Sequence, residues 1–283
     1  MTNVARFVVL AVAACAALLV SACQTPAHET SPPTLAALQG DYFRLDSTVL
    51  GRPLHIHVNL PENYAANAAS YPTVYLTDGD SLFPLLAPTQ LFLTYDEPVP
   101  PAILVGIAYG TFDPEAGNLR HVDFTWPHAT AADKGAAAFQ SFLAEELIPE
   151  IERRYRSDPQ RRILVGQSRG GGFVLYSALT APDMFWGRIA SNPALRGNRD
   201  AFFAPAAPAT REGLALFVAS GERDRADIRA ETLQWAAHWQ SQGDLPWTLE
   251  LEMIENGTHA ATIGEVYRRG MISRFAGAQQ NAD

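Results

Sequence analysis

The fold of this chain is decided by the segment Ile163-Leu164-Val165-Gly166-Gln167-Ser168-Arg169-Gly170-Gly171-Gly172. Its first three residues are apolar and predict a buried strand, whereas the amphipathic residues 173–179 predict a helix directly after the glycines. Gly166-x-Ser168-x-Gly170 between a strand and a helix is the context that a nucleophile elbow requires. The serine of such a turn has a strained backbone, so bulky side chains two positions to either side would not fit.

The same turn predicts how Ser168 would be presented. Its hydroxyl would be exposed at the helix N-terminus, and the backbone N–H of Arg169 would point to where an oxyanion forms. The alternative is a glycine-rich turn that only permits close packing. A phosphate-binding loop would need a Gly-Lys-Ser/Thr sequence, and none follows these glycines.

A serine hydroxyl needs a base to take its proton, and histidine suits this role because its pKa lies near neutral pH. Of the seven histidines, we expect His259 to be that base. It lies in Asn256-Gly257-Thr258-His259-Ala260, a turn between the last predicted strand and the last predicted helix. A histidine in an ordinary surface loop is the alternative.

The acid that orients the histidine is expected between Ser168 and His259 along the chain. The predicted strand Leu214–Ala219 continues into Ser220-Gly221-Glu222-Arg223-Asp224, so Glu222 and Asp224 are both candidates. We favour Asp224, because a Gly-x-x-Asp turn places the carboxylate three residues after the glycine. Either carboxylate would orient the imidazole and stabilise its cation, and a Ser–His pair without a committed acid is the remaining alternative.

A second oxyanion donor is expected from the turn after an earlier strand. The predicted strand Pro72–Thr77 leads into Asp78-Gly79-Asp80. Gly79 permits a tight turn there, and the N–H of Gly79 or Asp80 would complete the oxyanion hole. An ordinary Asp-Gly turn is the alternative.

Short apolar runs alternate with helical stretches from about residue 41 to residue 283 and predict one α/β domain. The predicted strands are Tyr42–Thr48, Leu54–Leu60, Pro72–Thr77, Ile103–Ile107, Arg162–Val165, Gly187–Ser191, Leu214–Ala219 and Trp247–Ile254, the first two antiparallel. The predicted helices are Ala136–Tyr155, which Pro149 should end or kink, Ile228–Gln240 and Thr262–Phe275. This alternation indicates a mostly parallel sheet with helices on both faces, whose sites form at the carboxyl ends of the strands.

The N-terminal segment is typical of an exported lipoprotein. Residues 1–6 carry one positive charge, residues 7–20 are apolar, and Ser21-Ala22 brings small residues before Cys23. This order predicts a signal peptide over 1–23 with a lipidated Cys23, and residues 24–40 predict a flexible tether. Gln24, rather than Asp, favours the outer membrane of a diderm bacterium. Cleavage after Ala22 without lipidation and an uncleaved anchor are the alternatives.

Composition excludes some classes of function. The net charge of −9 argues against nucleic-acid binding, which needs a basic surface. Cys15 and Cys23 are the only cysteines, so the exported domain would have no disulfide. His55 and His57 share one face of a predicted strand, but the further carboxylate and histidine of a metallohydrolase do not follow, so we expect no metal.

Five motifs taken together resemble one known family. They are Tyr75-Leu76-Thr77-Asp78-Gly79-Asp80, Arg120-x-x-Asp123-Phe124-Thr125, Gly166-Gln167-Ser168-x-Gly170-Gly171, Ser191-Asn192-Pro193 and Gly257-Thr258-His259. The family is the esterase D type of α/β-hydrolases, which includes the enterochelin and salmochelin esterases and some bacterial lipoprotein esterases. The resemblance extends from about residue 42 to residue 275.

The resemblance implies an α/β-hydrolase fold and a cofactor-independent hydrolase of small carboxylic esters, with Ser168 as nucleophile and His259 as base. Siderophore-type esters are one substrate class that it implies. Arg169 stands where the siderophore relatives often carry an aromatic residue, so Arg169 and Arg120 are candidates for binding an anionic group of another substrate. A structural pair of Arg120 with Asp123 is the alternative. An acyltransferase with the same triad and a non-catalytic lipoprotein that binds a siderophore or glycan are the rival functions.

Overall fold

The computed structural model of the chain describes Leu38, residues 40–128 and residues 134–280, except for the side chains of 277–280. The predicted signal peptide, with Cys23, and residues 24–37 and 39 of the predicted tether lie outside this description. Within the described residues, the first strand begins at Gly40, close to the predicted start of the domain.

Eight strands of the described chain form one mixed sheet. They are β1 Gly40–Ser47, β2 Arg52–Asn59, β3 Tyr71–Leu76, β4 Ile103–Ala108, β5 Ser157–Gln167, β6 Gly187–Ser191, β7 Ala215–Arg223 and β8 Thr248–Thr258. Their order across the sheet is β1-β2-β4-β3-β5-β6-β7-β8. Strand β2 is antiparallel to β1 and β4, and every other neighbouring pair is parallel.

Helices lie on both faces of this sheet. They are α1 Gly79–Asp96, α2 Arg120–Asp123, α3 Gly135–Phe142, α4 Ile148–Arg154, α5 Arg169–Thr180, α6 Ala226–Gln240 and α7 Ile263–Gln280, with 3-10 turns at Tyr64–Ala66, Pro182–Met184 and Arg199–Phe203. None of the helices in the described part of the chain has both the length and the apolar character that a membrane span requires.

The apolar core has two layers, because successive residues of a strand point to opposite faces of the sheet. Tyr75 of β3 faces the layer that contains Phe139 of α3, Phe173 of α5 and Trp235 of α6. Its neighbours Val74 and Leu76 face the layer that α1 and α7 complete. The predicted mostly parallel sheet with helices on both faces is confirmed.

Helix α1 is an element that the sequence pattern does not indicate. It contains Pro84 and Pro88, each of which removes a helical hydrogen bond and argues locally against a helix. Its inner side nevertheless packs on the sheet, and this burial offsets the cost of the prolines. The turn expected at Asp78-Gly79-Asp80 is therefore the beginning of a helix, with Asp78 as N-cap residue in a left-handed conformation (φ 53°).

The region predicted as one helix over Ala136–Tyr155 contains a π turn. Helix α3 continues into the π segment Leu143–Leu147, which continues into α4. Pro149 is the second residue of α4, directly after the π segment, and the chain remains helical on both sides of it. The proline, which has no backbone N–H to donate, therefore lies where the hydrogen bonding changes from the π pattern to the α pattern.

Candidate active site

Ser168 lies on a sharp turn between β5 and α5. Its backbone has φ 58° and ψ −116°, a conformation that a residue with a side chain adopts only under strain. A Cβ atom at position 166 would collide with the Gly170 carbonyl, and one at position 170 would collide with Thr77 Oγ1. Glycine is required at both positions, for the steric reason that the motif predicts.

The side chains of Ser168, His259 and Asp224 meet at the carboxyl ends of β5, β8 and β7. Ser168 Oγ lies 2.9 Å from His259 Nε2, and Nδ1 of the same ring lies 2.6 Å from Asp224 Oδ1. The Asp224 side chain is fully buried, whereas the imidazole is 25% exposed. The imidazole can therefore accept the serine proton on one side while the carboxylate holds it on the other.

The structure brings Asp224, and not Glu222, to the imidazole. Strand β7 continues through Arg223, so Asp224 is the first residue after the strand. The backbone N–H of Arg225 also donates to Asp224 Oδ1, over 2.6 Å, and fixes the carboxylate from the other side. Glu222 is exposed and its Oε2 accepts the backbone N–H of Asn256 over 3.1 Å.

Two helices begin beside Ser168, and their first N–H groups are those that a helix cannot use internally. Arg169 is the first residue of α5, and Gly79 and Asp80 are the first two of α1. The hydrogen bonds of α1 start with the N–H groups of the next two residues, 81 and 82, which both donate to the Asp78 carbonyl. Both helix dipoles favour negative charge at the same place.

The Asp80 side chain has a structural task that the sequence does not indicate. Its two carboxylate oxygens accept the backbone N–H groups of Tyr109, over 2.7 Å, and Gly110, over 2.9 Å. These residues directly follow β4. Asp80 therefore ties the start of α1 to the neighbouring strand end, which fixes the position of its own N–H group.

Arg120 makes an ion pair with Asp78 and not with Asp123. Its Nε and Nη2 atoms donate to the two carboxylate oxygens of Asp78, over 2.6 and 2.9 Å. The structural pair with Asp123, given above as the alternative for Arg120, is wrong, because Asp123 accepts hydrogen bonds from Arg52 and from the Tyr109 hydroxyl. Burial raises the pKa of Asp123, and these two donors oppose the rise. The bidentate contact instead holds Asp78 at the beginning of α1.

A cleft of about 310 Å³ opens above the serine. Ser168 and His259 form part of its floor, and Arg120 and Phe112 form part of its wall. Phe112 is 73% exposed, so an apolar surface is presented at the entrance. The residues that line the cleft are Asp78, Asp80, Ser81, Leu82, Phe112, Asn118, Arg120, Gln167, Ser168 and His259.

The Arg169 side chain is not part of the cleft lining. Its Nη1 donates to Thr125 Oγ1 over a long 3.4 Å, and no carboxylate of the described residues lies within 4.0 Å of it. Partial burial lowers the pKa of Arg169, and the positive charges of Arg196 and Arg120 lower it further. The backbone of Arg169 rather than its guanidinium therefore faces the reacting centre.

Two amide side chains beside Ser168 and His259 belong to the motifs quoted above, but the sequence assigned them no role. Gln167 and Asn192 both donate to the main-chain carbonyl of His259, over 2.6 and 2.9 Å. Gln167 directly precedes the serine, and Asn192 directly follows β6. Their place in these motifs, at strand ends beside Ser168, was the available signal, but a contact with the distant His259 turn cannot be read from a linear sequence.

The two histidines of β2 pack against aromatic rings. His55 stacks on Tyr42, and its Nδ1 lies 2.6 Å from the Tyr42 hydroxyl, whereas the His57 ring is tilted against Tyr42 and Phe83. Burial lowers the pKa of His57. Among the described residues, no group of three or more His, Cys, Asp or Glu side chains is arranged to hold a metal ion.

Comparison with known proteins relates the chain to esterases. A family model described as "Putative esterase" matches residues 47–262. Ferri-bacillibactin esterase BesA of Bacillus subtilis is 37% identical over 165 residues, which are 52% of this chain and 56% of that protein. Apo-salmochelin esterase of Escherichia coli is 31% identical over 151 residues, 49% of this chain and 46% of that protein. The chain thus matches about half the length of these curated relatives.

Solved structures share the fold at lower sequence identity. The BES protein from Bacillus cereus superimposes with a TM-score of 0.69 at 22% identity, over 83% of this chain and 93% of that one. Siderophore hydrolase EstA from Aspergillus nidulans gives a TM-score of 0.71 at 21% identity, over 87% and 97% of the two chains. These likenesses concern the fold, and they confirm the predicted α/β-hydrolase architecture.

Proposed function

Because the chain belongs to the esterase family, whose model covers residues 47–262, we propose that it is a serine hydrolase that cleaves carboxylic esters. One observation carries the proposal. Ser168 Oγ is within hydrogen-bond distance of His259 Nε2, Nδ1 of the same ring contacts the buried Asp224 carboxylate, and Ser168 and His259 line an open cleft. The named esterases that are 37% and 31% identical over half of the chain support the same reaction class.

In the first half of the proposed reaction, Ser168 Oγ attacks the ester carbonyl carbon while His259 Nε2 takes the hydroxyl proton. The carbonyl oxygen becomes an oxyanion. The N–H of Arg169 and an N–H of Asp80 or Gly79 would stabilise that charge, since both are helix N-terminal donors beside the serine. The tetrahedral intermediate then collapses, the carbon–oxygen bond to the alcohol breaks, and His259 protonates the leaving oxygen.

In the second half, a water molecule attacks the acyl group on Ser168. His259 takes one proton of the water, and a second oxyanion forms in the same donor site. When it collapses, the carboxylic acid leaves and the proton returns to Ser168 Oγ. Asp224 stays ionised throughout, and its role is to keep the Nδ1 proton of the imidazole facing it and to stabilise the transient imidazolium.

Siderophore-type esters are the proposed substrate class. The support is that the similar curated proteins are named as esterases of ferri-bacillibactin and apo-salmochelin. Arg120 is a candidate binding group in this site, because it lines the cleft and Asp78 engages only its Nε and Nη2 atoms. Its Nη1 group would then remain for an anionic substrate oxygen.

The test compares the full chain, purified in mild detergent, with Ser168→Ala and with Ser81→Ala as a matched control, since Ser81 also lines the cleft. Short-chain p-nitrophenyl esters and ferri-bacillibactin are the substrates, and a fluorophosphonate probe reports on the nucleophile. We expect hydrolysis and labelling by the wild type and Ser81→Ala, and loss of both in Ser168→Ala by several orders of magnitude. Equal activity of Ser168→Ala would refute the assignment of the nucleophile.

Two other outcomes would redirect the proposal. Product that appears only when an alcohol acceptor replaces water would indicate an acyltransferase that uses the same three residues. A folded wild type that is neither labelled nor active would indicate a binding protein instead of an enzyme.

We further propose that the protein is exported and anchored in the outer membrane through a lipid on Cys23. The order of charge, apolar run and Ser-Ala-Cys over residues 1–23 supports this proposal. Expression in a diderm bacterium with an alkyne fatty acid tests it, by comparing wild type with Cys23→Ala and Cys15→Ala. Label on the wild type and Cys15→Ala but not on Cys23→Ala is expected, and label that persists in Cys23→Ala would refute it.

A further inference from the structure

Asn192 occupies an unusual position beside the proposed triad. It is the first residue after β6, it is fully buried, and its backbone has a left-handed φ of 44°. Asparagine tolerates this conformation better than most residues with side chains. Its own N–H donates to the Ala219 carbonyl of β7 over 2.8 Å, so the main chain is fixed at this point.

The Asn192 side chain bonds to two separate turns. Oδ1 accepts the backbone N–H of Gly221, over 2.8 Å, in the strand end that leads to Asp224. Nδ2 donates to the His259 carbonyl over 2.9 Å and to the Thr258 carbonyl over 3.3 Å. One buried amide therefore joins the segment that carries the acid to the segment that carries the base.

The two joined turns also touch each other directly. A Cβ atom on Gly257 would lie 3.0 Å from Gly221 Cα, so the backbones approach as closely as glycine allows. The carbonyl of His259 receives a second amide donor from Gln167, over 2.6 Å, from the residue before the nucleophile. The amides of Asn192 and Gln167 therefore connect the segment that precedes Ser168 and the segment that leads to Asp224 with the His259 turn.

We infer that Asn192 is a positioning residue for catalysis, which sets the place of the His259 ring relative to both Ser168 and Asp224. This inference rests on the proposed serine-hydrolase function. His259 lies just outside β8, so its own element does not hold the ring in place. A shift of about 1 Å at a reacting group can cost about 100-fold in rate, so a buried amide that fixes this carbonyl has a direct effect on turnover.

Two substitutions separate the side chain from the backbone conformation. Asn192→Gly keeps the left-handed φ and deletes all three side-chain hydrogen bonds. Asn192→Asp keeps the acceptor for Gly221 and replaces the donor with a carboxylate oxygen that faces two carbonyls. Asn63→Gly is the matched control, because Asn63 is an exposed asparagine with φ 59° in a turn outside the cleft.

For the full chain we expect Asn192→Gly to lose about 10- to 100-fold in kcat with p-nitrophenyl esters, with KM within about threefold. Asn192→Asp should lose at least as much. Asn63→Gly should keep wild-type kinetics. A role in stability alone would lower the melting temperature by circular dichroism while kcat at 25 °C stayed unchanged.

A substrate-independent measurement completes the test. The proton between His259 Nδ1 and Asp224 Oδ1 should give a downfield proton NMR signal that Asp224→Asn abolishes. We expect this signal to broaden or disappear in Asn192→Gly and to persist in Asn63→Gly. Should the Asn192 variants not fold, Gln167→Met removes the other amide donor to the same carbonyl and should broaden the signal likewise.

Wild-type kcat together with an unchanged downfield signal in Asn192→Gly would overturn the inference. Should the Asn192 variants not fold, an unchanged signal in Gln167→Met would overturn it instead. Failure of the proposed function gives a different result. In that case no ester is hydrolysed by the wild type, but the NMR comparison of wild type with Asn192→Gly still decides whether Asn192 positions the imidazole.

Discussion

Replacement of Asp224 by Asn is the sharpest test of the proposed mechanism, because it exchanges one atom and leaves the shape of the site unchanged. Asp224 Oδ1 accepts hydrogen bonds from Arg225 N–H and from His259 Nδ1, each over 2.6 Å. Oδ2 is buried without a hydrogen-bond partner among the described residues. An asparagine at this position has two orientations, and both are unfavourable.

With the amide oxygen at the Oδ1 position, both existing donors keep an acceptor. The NH2 group is then buried without one, and the negative charge that stabilises the imidazolium is lost. With the NH2 group at the Oδ1 position, it faces the Arg225 N–H and forces Nδ1 of the ring to become an acceptor. The imidazole proton then moves to Nε2, which can no longer take the proton of Ser168.

A loss of about 10³- to 10⁴-fold in kcat is the general cost of this substitution in a Ser-His-Asp triad. It corresponds to about 4 to 5.5 kcal/mol of transition-state stabilisation. We expect that loss for Asp224→Asn here, because the carboxylate is fully buried and no water can replace it. Glu222→Gln should stay within about threefold of wild type, since Glu222 contacts the Asn256 backbone instead of the ring.

The assay is steady-state hydrolysis of p-nitrophenyl butyrate at pH 7.5, with circular dichroism to confirm that each variant is folded. Two results would refute the reasoning. A loss smaller than tenfold in Asp224→Asn would show that Ser168 and His259 act as a pair without a committed acid. An equal loss in Glu222→Gln would show that the two carboxylates were assigned wrongly.

Three further predictions concern stability and can be checked by urea unfolding. Gly170→Ala should lower the free energy of unfolding by about 1–3 kcal/mol, because its methyl group would collide with Thr77 Oγ1; an unchanged midpoint would contradict the tight elbow. Arg188→Met should cost roughly 3 kcal/mol, since the buried guanidinium donates to the four carbonyls of Ser177, Ala181, Pro182 and Phe185; unaltered stability would show that these carbonyls find other donors. Wild type should lose stability between pH 7 and pH 5, because the pKa of His57 is lower in the folded chain than its ordinary 6.5 and the unfolded chain therefore binds the proton more readily. His57→Gln should lose less stability over the same range; parallel pH profiles of wild type and variant would contradict this.

The charge distribution around the cleft has a consequence for substrate choice. Arg120 lies in the cleft wall with its charge balanced by Asp78, whereas the Arg169 guanidinium lies to one side, near Arg196. Asp80 adds a further negative charge to the same lining, so the cleft carries charges of both signs. If Arg120 or Arg169 binds an anionic group of the substrate, the KM of that substrate should rise with ionic strength more than the KM of a neutral ester.

The strand–elbow–helix segment around Ser168 could be predicted from the sequence because every constraint on it is local. An apolar strand, two obligatory glycines and an amphipathic helix lie within about twenty residues, and the steric reason for Gly166 and Gly170 is the one that the structure shows. The alternation of strands and helices, the antiparallel first pair and His259 directly after the last strand follow from equally local patterns.

Features that depend on partners far apart in the sequence could be seen only in the folded chain. Helix α1 exists despite Pro84 and Pro88 because its buried side packs on the sheet and on α7, which no local propensity reports. Arg120 pairs with Asp78, 42 positions earlier, and not with the nearby Asp123, because the strand ends bring Asp78 to it. A sequence shows which side chains could pair, but only the packed sheet fixes which of them are within reach.

The same division applies to the triad. Ser168 with its turn, His259 and a choice between two acids could be predicted from the sequence, because each belongs to a turn that its own residues define. In the structure Asp224, and not Glu222, contacts the imidazole, and Gln167 and Asn192 donate to the His259 carbonyl. Those contacts join the ends of β5, β6, β7 and β8, which are adjacent only because parallel strands bring their carboxyl ends to one edge of the sheet.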